Sequence, residues 1–191
     1  YTPLSPQYNQ VAFSVTSLMH YARCPRYYYL RYILGVPDRS SHANQTETTS
    51  SPTLSAIQRG NIVHRVCEQI RNPEDLAGLL DYAADMEGVE LTDKQRAQLT
   101  EIITPYLQSQ FFARVQTDDS QQWKIYQEME FVISAGNFLV NGMVDQVFVS
   151  ENGVEVVDFK SNWIRPAQVA EVGASYDVQL RLYAWAMARE F

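Results

Sequence analysis

Two aspartates and a lysine, Asp145, Asp158 and Lys160, are the side chains of this sequence best suited to chemistry. Carboxylates are the ligands that hard divalent cations prefer. A nearby ammonium group stabilises negative charge that develops on a phosphate, or orients an attacking water. Burying these charges among valines is costly unless they bind a ligand. The three residues therefore indicate a metal-dependent site for phosphodiester hydrolysis.

Two predicted strands position these charges, one over residues 138–149 and one over 154–161. Both are rich in β-branched and aromatic residues. Asn152-Gly153 between them is a strong hairpin signal, and a two-residue turn there pairs Glu151 with Val154. That register places Asp145 opposite the lysine and diagonal to the second aspartate. Because side chains alternate along a strand, all three point to one face.

A surface hairpin with a cross-strand salt bridge is the alternative for these charged residues. The reverse face argues against it because that face is also largely apolar, with Val144, Phe148, Val157 and Phe159. A sheet that is apolar on both sides is covered on both sides. We therefore expect the charges to lie in a site rather than on an open surface.

Composition predicts one sizeable α/β core, since the chain has 191 residues of which 46% are hydrophobic. No apolar run has membrane-spanning length and no signal peptide is visible, so we expect no membrane contact. Two cysteines, Cys24 and Cys67, fit a reducing, cytoplasmic compartment. The chain begins without methionine and stops inside a predicted helix, which predicts a fragment of a longer polypeptide.

The net charge of −7 is unevenly distributed. Residues 11–71 contain seven arginines and three acidic residues. Residues 74–130 contain twelve acidic residues and four basic ones. The basic N-terminal portion can contact phosphates while the acidic part faces solvent or a partner.

The pattern along the chain predicts a polar tail over 1–10 followed by a single domain over 11–191. A helix starts at Ser14 or Thr16 and is interrupted at Pro25. A polar stretch over 38–54 predicts a mobile loop. The remaining predicted elements are helices over 55–71, 73–87, 92–115 and 176–190, and strands over 123–133, 138–149 and 154–161.

The order helix, three strands, helix, with Asp on the second strand and Asp-x-Lys on the third, resembles the PD-(D/E)XK nuclease superfamily. The resemblance narrows to the nuclease domains of RecB and AddA, which end helicase–nuclease chains that process double-strand breaks. It covers roughly residues 13–191. The matching segments are Gly60-x-x-x-His64, Glu128-x-x-Phe131, Gly142-Met143-Val144-Asp145, Asp158-Phe159-Lys160, Gln179-x-x-x-Tyr183 and Tyr21-x-x-Cys24-Pro25-Arg26. The implied fold is a restriction-endonuclease-like α/β core with a central mixed sheet flanked by helices.

The resemblance implies a role for each matched residue. Asp145, Asp158, His64 and the backbone carbonyl of Phe159 would bind Mg²⁺ or Mn²⁺, and the imidazole tilts the preference slightly toward Mn²⁺. Lys160 would position the water or stabilise the transition state.

Three further residues have supporting roles in this family. Glu128 would support the metal or its water. Glu130 lies two residues later on the same strand, so its side chain is expected on the same face. Gln179 and Tyr183, one helical turn apart, would orient Lys160 or contact the DNA backbone, with ordinary helix packing as the alternative.

Arginines and tyrosines of the N-terminal portion are candidate DNA contacts. The arginines are Arg23, Arg26, Arg59 and Arg65. The aromatic stretch Tyr27-Tyr28-Tyr29 and Tyr32 could stack bases, or could belong to the core.

Cys24 resembles the first cysteine of the iron–sulfur cluster in AddB nucleases and related CRISPR-associated exonucleases. The three cysteines that complete that cluster are absent from this sequence. Either the domain is of the cluster-free RecB and AddA type, which we favour, or the chain stops before them. We expect no iron–sulfur cluster within this chain, and we expect Cys67 to be a core residue.

We therefore predict a metal-dependent deoxyribonuclease domain that acts on single-stranded or unwound DNA. A helicase domain in the same polypeptide is the expected partner. A helicase–nuclease of this kind is also compatible with a separate partner subunit. One alternative is a catalytically silent domain that binds DNA or braces a helicase. Another is a free-standing structure-specific endonuclease such as a junction resolvase.

Overall fold

The computed structural model describes residues 11–37, 54–117, 122–162 and 164–191. The predicted tail over 1–10 lies outside the described residues, as does the predicted mobile loop except for Leu54. The chain divides into two compact units. Unit 1 comprises Tyr1–Ser51, Glu130–Met143 and Ala170–Glu190, and unit 2 comprises Pro52–Met129, Val144–Val169 and Phe191. The single domain over 11–191 stays a prediction.

The described elements follow the predicted order, with additions. The helices are α1 Val15–Arg23, α2 Pro25–Tyr28, a π-helix Tyr29–Ile33, α3 Ala56–Gln69, α4 Leu76–Met86, α5 Asp93–Leu107, α6 Gln110–Gln116, α7 Val169–Ala174 and α8 Asp177–Glu190. Two 3₁₀ turns lie at Pro73–Asp75 and Pro166–Gln168. The strands are β1 Val11–Ser14, β2 Lys124–Ala135, β3 Phe138–Ser150 and β4 Gly153–Val157.

The described strands form a four-stranded mixed sheet in the order β1-β3-β2, and β4 also pairs with β3. β1 runs parallel to the start of β3, whereas β4 runs antiparallel to its end. This arrangement confirms the predicted mixed sheet with flanking helices. The sequence did not predict β1, because four residues are too few to show an alternating pattern.

In unit 1, the helix α1 follows β1, and its N-terminus is capped by Ser14. Its hydroxyl accepts a hydrogen bond from the backbone N–H of Ser17 at 3.1 Å. Pro25 at the first position of α2 interrupts the helical run as predicted, since proline lacks the N–H that a helix interior needs.

The core of unit 2 is built on α3, whose first turn is closed by a capping box between Ser55 and Gln58. The buried side of α3 packs into one apolar cluster with residues of α4, α5 and α6. Cys67 belongs to this core, as predicted. Ile57, in the first turn of α3, is apolar but lies outside this core and is 74% exposed. At 100° per residue it points well away from Val63, six residues later.

The predicted long helix over 92–115 is divided in two. Thr92 caps α5 as predicted, but α5 ends at Leu107 and Ser109 caps the separate helix α6. Among the described residues, no helix has both the length and the apolar character needed to cross a membrane.

Candidate active site

The hairpin of β3 and β4 sets the relative positions of the two aspartates. Ser150 pairs with Gly153 and Gln146 with Val157, so the next step places Asp145 across from Asp158. The predicted pairing of Asp145 with the lysine is therefore wrong by two residues. A type I′ turn at 152–153 needs positive φ at both positions, and only Gly153 has it. The error of two keeps the strand parity, so the two aspartates still lie on the same side.

Asp145 is held by contacts to both carboxylate oxygens. The backbone N–H of Phe159 donates to Oδ2 at 2.6 Å, and Nδ1 of His64 lies 3.4 Å from Oδ1. The Asp145 side chain is only 12% exposed. Asp145 thus joins the β hairpin to α3 through its two carboxylate oxygens.

His64 lies on α3, and its ring packs edge-on against Phe159 with the ring centroids 6.0 Å apart. The hydrogen bond to Asp145 raises the pKa of His64 above its usual value, and burial opposes that rise. The Coulomb interaction with Lys160 also lowers this pKa, so imidazole and ammonium act on one another. The predicted approach of His64 to the aspartates is present in the structure.

Asp158 and Lys160 form an ion pair. Both residues follow β4, which ends at Val157 rather than at the predicted Ser161. The Asp158 side chain is only 6% exposed, and its burial raises the pKa of the carboxyl group, whereas Lys160 lowers it. The lysine therefore compensates a carboxylate that would otherwise be costly to keep charged.

Glu128 lies on β2 with an exposed side chain and a positive φ of 44°. Apart from glycines, Glu128 is the only residue in the described part of the chain with a positive φ, a conformation that is strained for residues with a side chain. Burial raises the pKa of Glu68, and the charge of Glu128 raises it further. No described hydrogen bond or ion pair joins Glu128 to the aspartates, so its role at a metal stays a prediction. Such strain often occurs at functional positions.

Gln179 and Tyr183 are buried on α8 in unit 1. The Gln179 amide donates to the Tyr183 hydroxyl at 2.8 Å, and the Tyr183 ring packs edge-on against Phe131. The predicted closeness of Gln179 and Tyr183 is therefore observed. Their action on Lys160 or on DNA stays a prediction.

The four predicted DNA-contacting arginines differ in environment. Arg23 and Arg26 of unit 1 are exposed. Arg59 and Arg65 are half-buried on α3 in unit 2, and their Nε atoms are buried without a hydrogen-bond partner among the described residues. A buried, unsatisfied guanidinium nitrogen is costly. A phosphate contact by any of the four stays a prediction.

Two features near the aspartates were not predicted. Gln146, next to Asp145, is fully buried and exchanges hydrogen bonds with the Tyr106 hydroxyl at 3.1 and 3.3 Å. Burial raises the pKa of Tyr106 to about 12. A polar residue within an apolar strand was the signal for Gln146. Nothing in the sequence pointed to its partner forty residues earlier.

A small cavity beside Lys160 was the second feature missed. Its volume is about 220 Å³, and it is lined by Glu101, Ile102, Pro105, Lys160, Asn162 and Ile164. Asn162 lies two residues after Lys160, so its proximity to the lysine was readable from the sequence. The residues of α5 that form the other wall of the cavity could be identified only from the tertiary structure.

By chemistry, the residues around Asp145 fit a hard divalent cation. Two carboxylates, a backbone carbonyl and an imidazole are the donor types such ions accept. In the described residues these donors are engaged in pairs, His64 with Asp145 and Lys160 with Asp158. No group of three or more His, Cys, Asp or Glu residues with metal-binding geometry occurs there.

The sequence of this chain is similar to those of known nucleases. The sequence profile of the PD-(D/E)XK nuclease superfamily matches residues 12–191. An ATP-dependent helicase/nuclease subunit of Alkaliphilus metalliredigens is 27% identical over 157 residues, which are 71% of this chain and 12% of that protein. The protein of the same name from Alkaliphilus oremlandii is 25% identical over 156 residues, 72% of this chain and 13% of its own length.

A third relative, the ATP-dependent helicase/nuclease subunit of the same name from Acetivibrio thermocellus, is 26% identical over 149 residues, 70% of this chain and 12% of that protein. The chain spans about an eighth of the length of the curated relatives it matches. Nearly all of the described chain lies within the family match. This chain belongs to the PD-(D/E)XK nuclease superfamily.

Proposed function

We propose that this chain is a metal-dependent deoxyribonuclease domain that hydrolyses phosphodiester bonds of single-stranded or unwound DNA. The observation that carries the proposal is the grouping of His64, Asp145, Asp158 and Lys160 within unit 2. Two buried carboxylates, an imidazole and an ammonium are the groups that such hydrolysis needs. Membership of a nuclease superfamily supports the same reaction class.

The proposed metal ligands are Asp145, Asp158, His64 and the backbone carbonyl of Phe159. A bound Mg²⁺ or Mn²⁺ would polarise the scissile phosphate and lower the pKa of the attacking water. The protein contributes orientation. The Phe159 N–H and the His64 ring fix the two oxygens of Asp145, so this carboxylate loses little further freedom when it binds a ligand.

Lys160 is the proposed source of transition-state stabilisation. Its ammonium group is held beside the buried Asp158 carboxylate, at the end of β4. A cation placed in advance stabilises phosphate charge as it develops, and this stabilisation is greater where water is partly excluded. We therefore assign Lys160 to the chemical step rather than to binding alone.

The biological setting is also a proposal. The relatives are named as helicase/nuclease subunits. We propose that this chain works with a helicase domain of the same polypeptide, and with a partner subunit, on DNA ends during double-strand-break repair. The free cysteines Cys24 and Cys67 suit a reducing cytoplasm.

One observation favours a second candidate, a catalytically silent domain that binds DNA or braces a helicase. Each aspartate is already engaged by a neighbouring side chain, Asp145 by His64 and Asp158 by Lys160. If these pairs persist in solution, they neutralise the carboxylates without a metal. The two candidates differ in whether the chain binds a divalent cation and cuts DNA.

Isothermal titration with Mn²⁺ decides between them. We expect the unaltered chain to bind Mn²⁺, and Asp158→Ala to bind it at least about tenfold more weakly because a carboxylate ligand is gone. Glu151→Ala, at an exposed turn of the same hairpin, is the matched control and should bind normally. Equal Mn²⁺ affinity in Asp158→Ala and the unaltered chain would overturn the site assignment.

A cleavage assay completes the test. Labelled single-stranded DNA should be cut in Mg²⁺ or Mn²⁺ and remain intact in EDTA. His64→Ala should impair cutting more in Mg²⁺ than in Mn²⁺, because Mn²⁺ binds sites of nitrogen and oxygen ligands more tightly and so tolerates the weakened ligand shell better. Binding of DNA without cutting in either metal would support the silent domain.

A further inference from the structure

An exposed aromatic surface lies in unit 1, formed by Tyr21, Tyr28, Tyr29 and Tyr32, and is called the tyrosine surface below. None of the residues in α2 or in the π-helix is buried. Tyr21 is 54% exposed, Tyr29 52% and Tyr32 41%. The alternative for Tyr27, Tyr28, Tyr29 and Tyr32 was a place in the core; Tyr29 and Tyr32 are exposed and Tyr27 and Tyr28 are half-buried, so none of the four is a buried core residue. Exposed aromatic side chains that are grouped together often mark a binding site.

The rings are held in fixed positions by one another. The rings of Tyr28 and Tyr32 stack with centroids 5.1 Å apart and an interplanar angle of 27°. Tyr21 meets Tyr28 edge-on at 5.4 Å. The Tyr32 hydroxyl is hydrogen-bonded to Nδ1 of His20 at 2.9 Å. Rings fixed in advance lose little side-chain entropy when a flat ligand packs against them.

A cavity of about 650 Å³ opens beside the tyrosine surface. Its walls are mainly apolar and aromatic, and include Phe13, Leu18, Tyr21, Tyr28, Tyr32 and Ile33. This volume is within the usual range for small-molecule sites. Walls of this kind suit a flat, partly apolar group such as a nucleobase.

The charge around the tyrosine surface is positive. Residues 11–37 contain Arg23, Arg26 and Arg31 and no aspartate or glutamate. All three arginines are exposed, and none forms an ion pair with a carboxylate of the described residues. A surface that joins flat aromatic rings to arginines complements a ligand with both bases and phosphates.

The backbone of this segment is also unusual. The N–H of Leu34 bonds to the carbonyl of Tyr29, which closes a π-helical turn. π-helical turns are rare and occur frequently at functional sites. This turn carries Tyr29, Arg31 and Tyr32 on five consecutive residues.

We propose that the tyrosine surface binds single-stranded DNA, with unpaired bases stacked on the tyrosines and phosphates held by Arg23, Arg26 and Arg31. The choice of DNA rests on the proposed function. Single strands are favoured over duplex because their bases are free to stack.

Fluorescence anisotropy in EDTA tests the inference, because DNA then binds without being cut. Two labelled strands of equal length are compared, oligothymidylate and an abasic strand with the same phosphates. We expect Tyr21→Leu and Tyr29→Leu each to weaken oligothymidylate binding about five- to a hundredfold, the effect of losing one stacked base. Binding of the abasic strand should be unchanged, and Tyr21→Phe should bind normally.

Matched controls separate base stacking from general effects. Tyr82→Leu removes a similarly exposed tyrosine on α4 in unit 2 and should leave both affinities unchanged. Arg26→Gln should weaken both strands and reduce the log–log salt slope by about 0.7, since one phosphate contact is lost. Circular dichroism confirms that each variant is folded.

Equal affinity of the unaltered chain for the two strands would overturn the inference. Unchanged oligothymidylate binding by folded Tyr21→Leu and Tyr29→Leu would do so as well. A dimer that Tyr21→Leu converts to a monomer, with unaltered DNA binding, would assign the surface to contact between copies and also overturn it.

The outcome is separable from that of the proposed nuclease activity. A chain that binds bases through its tyrosines but cuts no DNA in Mg²⁺ or Mn²⁺ upholds this inference and refutes the nuclease. A chain that cuts DNA but binds it independently of the tyrosines does the reverse.

Discussion

The backbone N–H of Phe159 donates to the carboxylate of Asp145 at 2.6 Å. This bond ties the segment that contains Asp158 and Lys160 to β3, because Phe159 lies between those two residues. Asp145 thus positions its neighbours as well as offering a ligand oxygen. Positioning of the neighbouring residues and binding of a metal can be separated by a substitution of Asp145 that keeps the hydrogen bond to Phe159.

Asp145→Asn should abolish cleavage while leaving the fold nearly intact. The amide oxygen can still accept from the Phe159 N–H, but the negative charge that would bind a cation is lost. We expect a fall in single-turnover rate of at least about a hundredfold, within the range for groups that act electrostatically at a reacting centre. The melting temperature should change by only a few degrees. Glu151→Gln in the exposed turn is the control and should cut at the normal rate.

His64 should titrate above its ordinary pKa in the metal-free chain, because its ring is hydrogen-bonded to Asp145. The raised folded-state pKa means that the protonated ring stabilises the fold. This stabilisation is complete below the unfolded value of about 6.5 and disappears as pH rises through the folded value. NMR titration of the ring protons measures it. Asp145→Asn should lower the pKa of His64, and an unchanged value would show that the pair does not form.

Gly142→Ala should destabilise the chain. A Cβ at this position would lie 2.8 Å from the Phe131 ring and 2.9 Å from a methyl group of Val15, all within unit 1. Overpacking of this kind costs about 1–3 kcal/mol. Gly78→Ala is the matched control, because its Cβ meets no atom within 4 Å and Ala is the better helix former by up to about 1 kcal/mol. Urea unfolding of both variants should give changes of opposite sign.

Tyr106→Phe should cost about 1–3 kcal/mol of unfolding free energy, although it deletes one oxygen. Gln146 is fully buried, and both of its described hydrogen bonds go to that hydroxyl. The phenylalanine ring can keep the packing against Phe112 and Phe159. The loss therefore reflects an unsatisfied buried amide. Tyr82→Phe, at an exposed position, should be neutral in the same urea titration; equal stability of the two variants would contradict the assignment.

Much of the fold was predictable because local signals were strong. Helices were predicted to begin at residues 55 and 92, and in the structure Ser55 and Thr92 cap the helices α3 and α5. The mixed sheet and flanking helices agree with the fold that the resemblance to the PD-(D/E)XK superfamily implies. By contrast, β1 was not predicted, since its four residues pair with β3 across more than a hundred positions of sequence. Such long-range pairing has no local signature.

The candidate site was predictable in composition but less so in geometry. The closeness of His64 to Asp145 and of Asp158 to Lys160 agrees with the matched motifs. The register was wrong by two residues because the backbone of the turn, rather than its Asn-Gly sequence, decides which residues pair. The Gln146–Tyr106 pair was not predicted because its partner comes from a distant helix.

Single-turnover cleavage by Lys160→Ala is the most direct test of the central claim. A labelled single strand is mixed with excess protein in Mg²⁺ and in Mn²⁺, and a gel-shift assay in EDTA measures binding of the same strand. We predict that the variant binds DNA as the unaltered chain does but cuts it at least about a hundredfold more slowly, because Lys160 acts on charge formed in the transition state. Cleavage at the unaltered rate would contradict the account and leave Lys160 as a salt-bridge partner of Asp158.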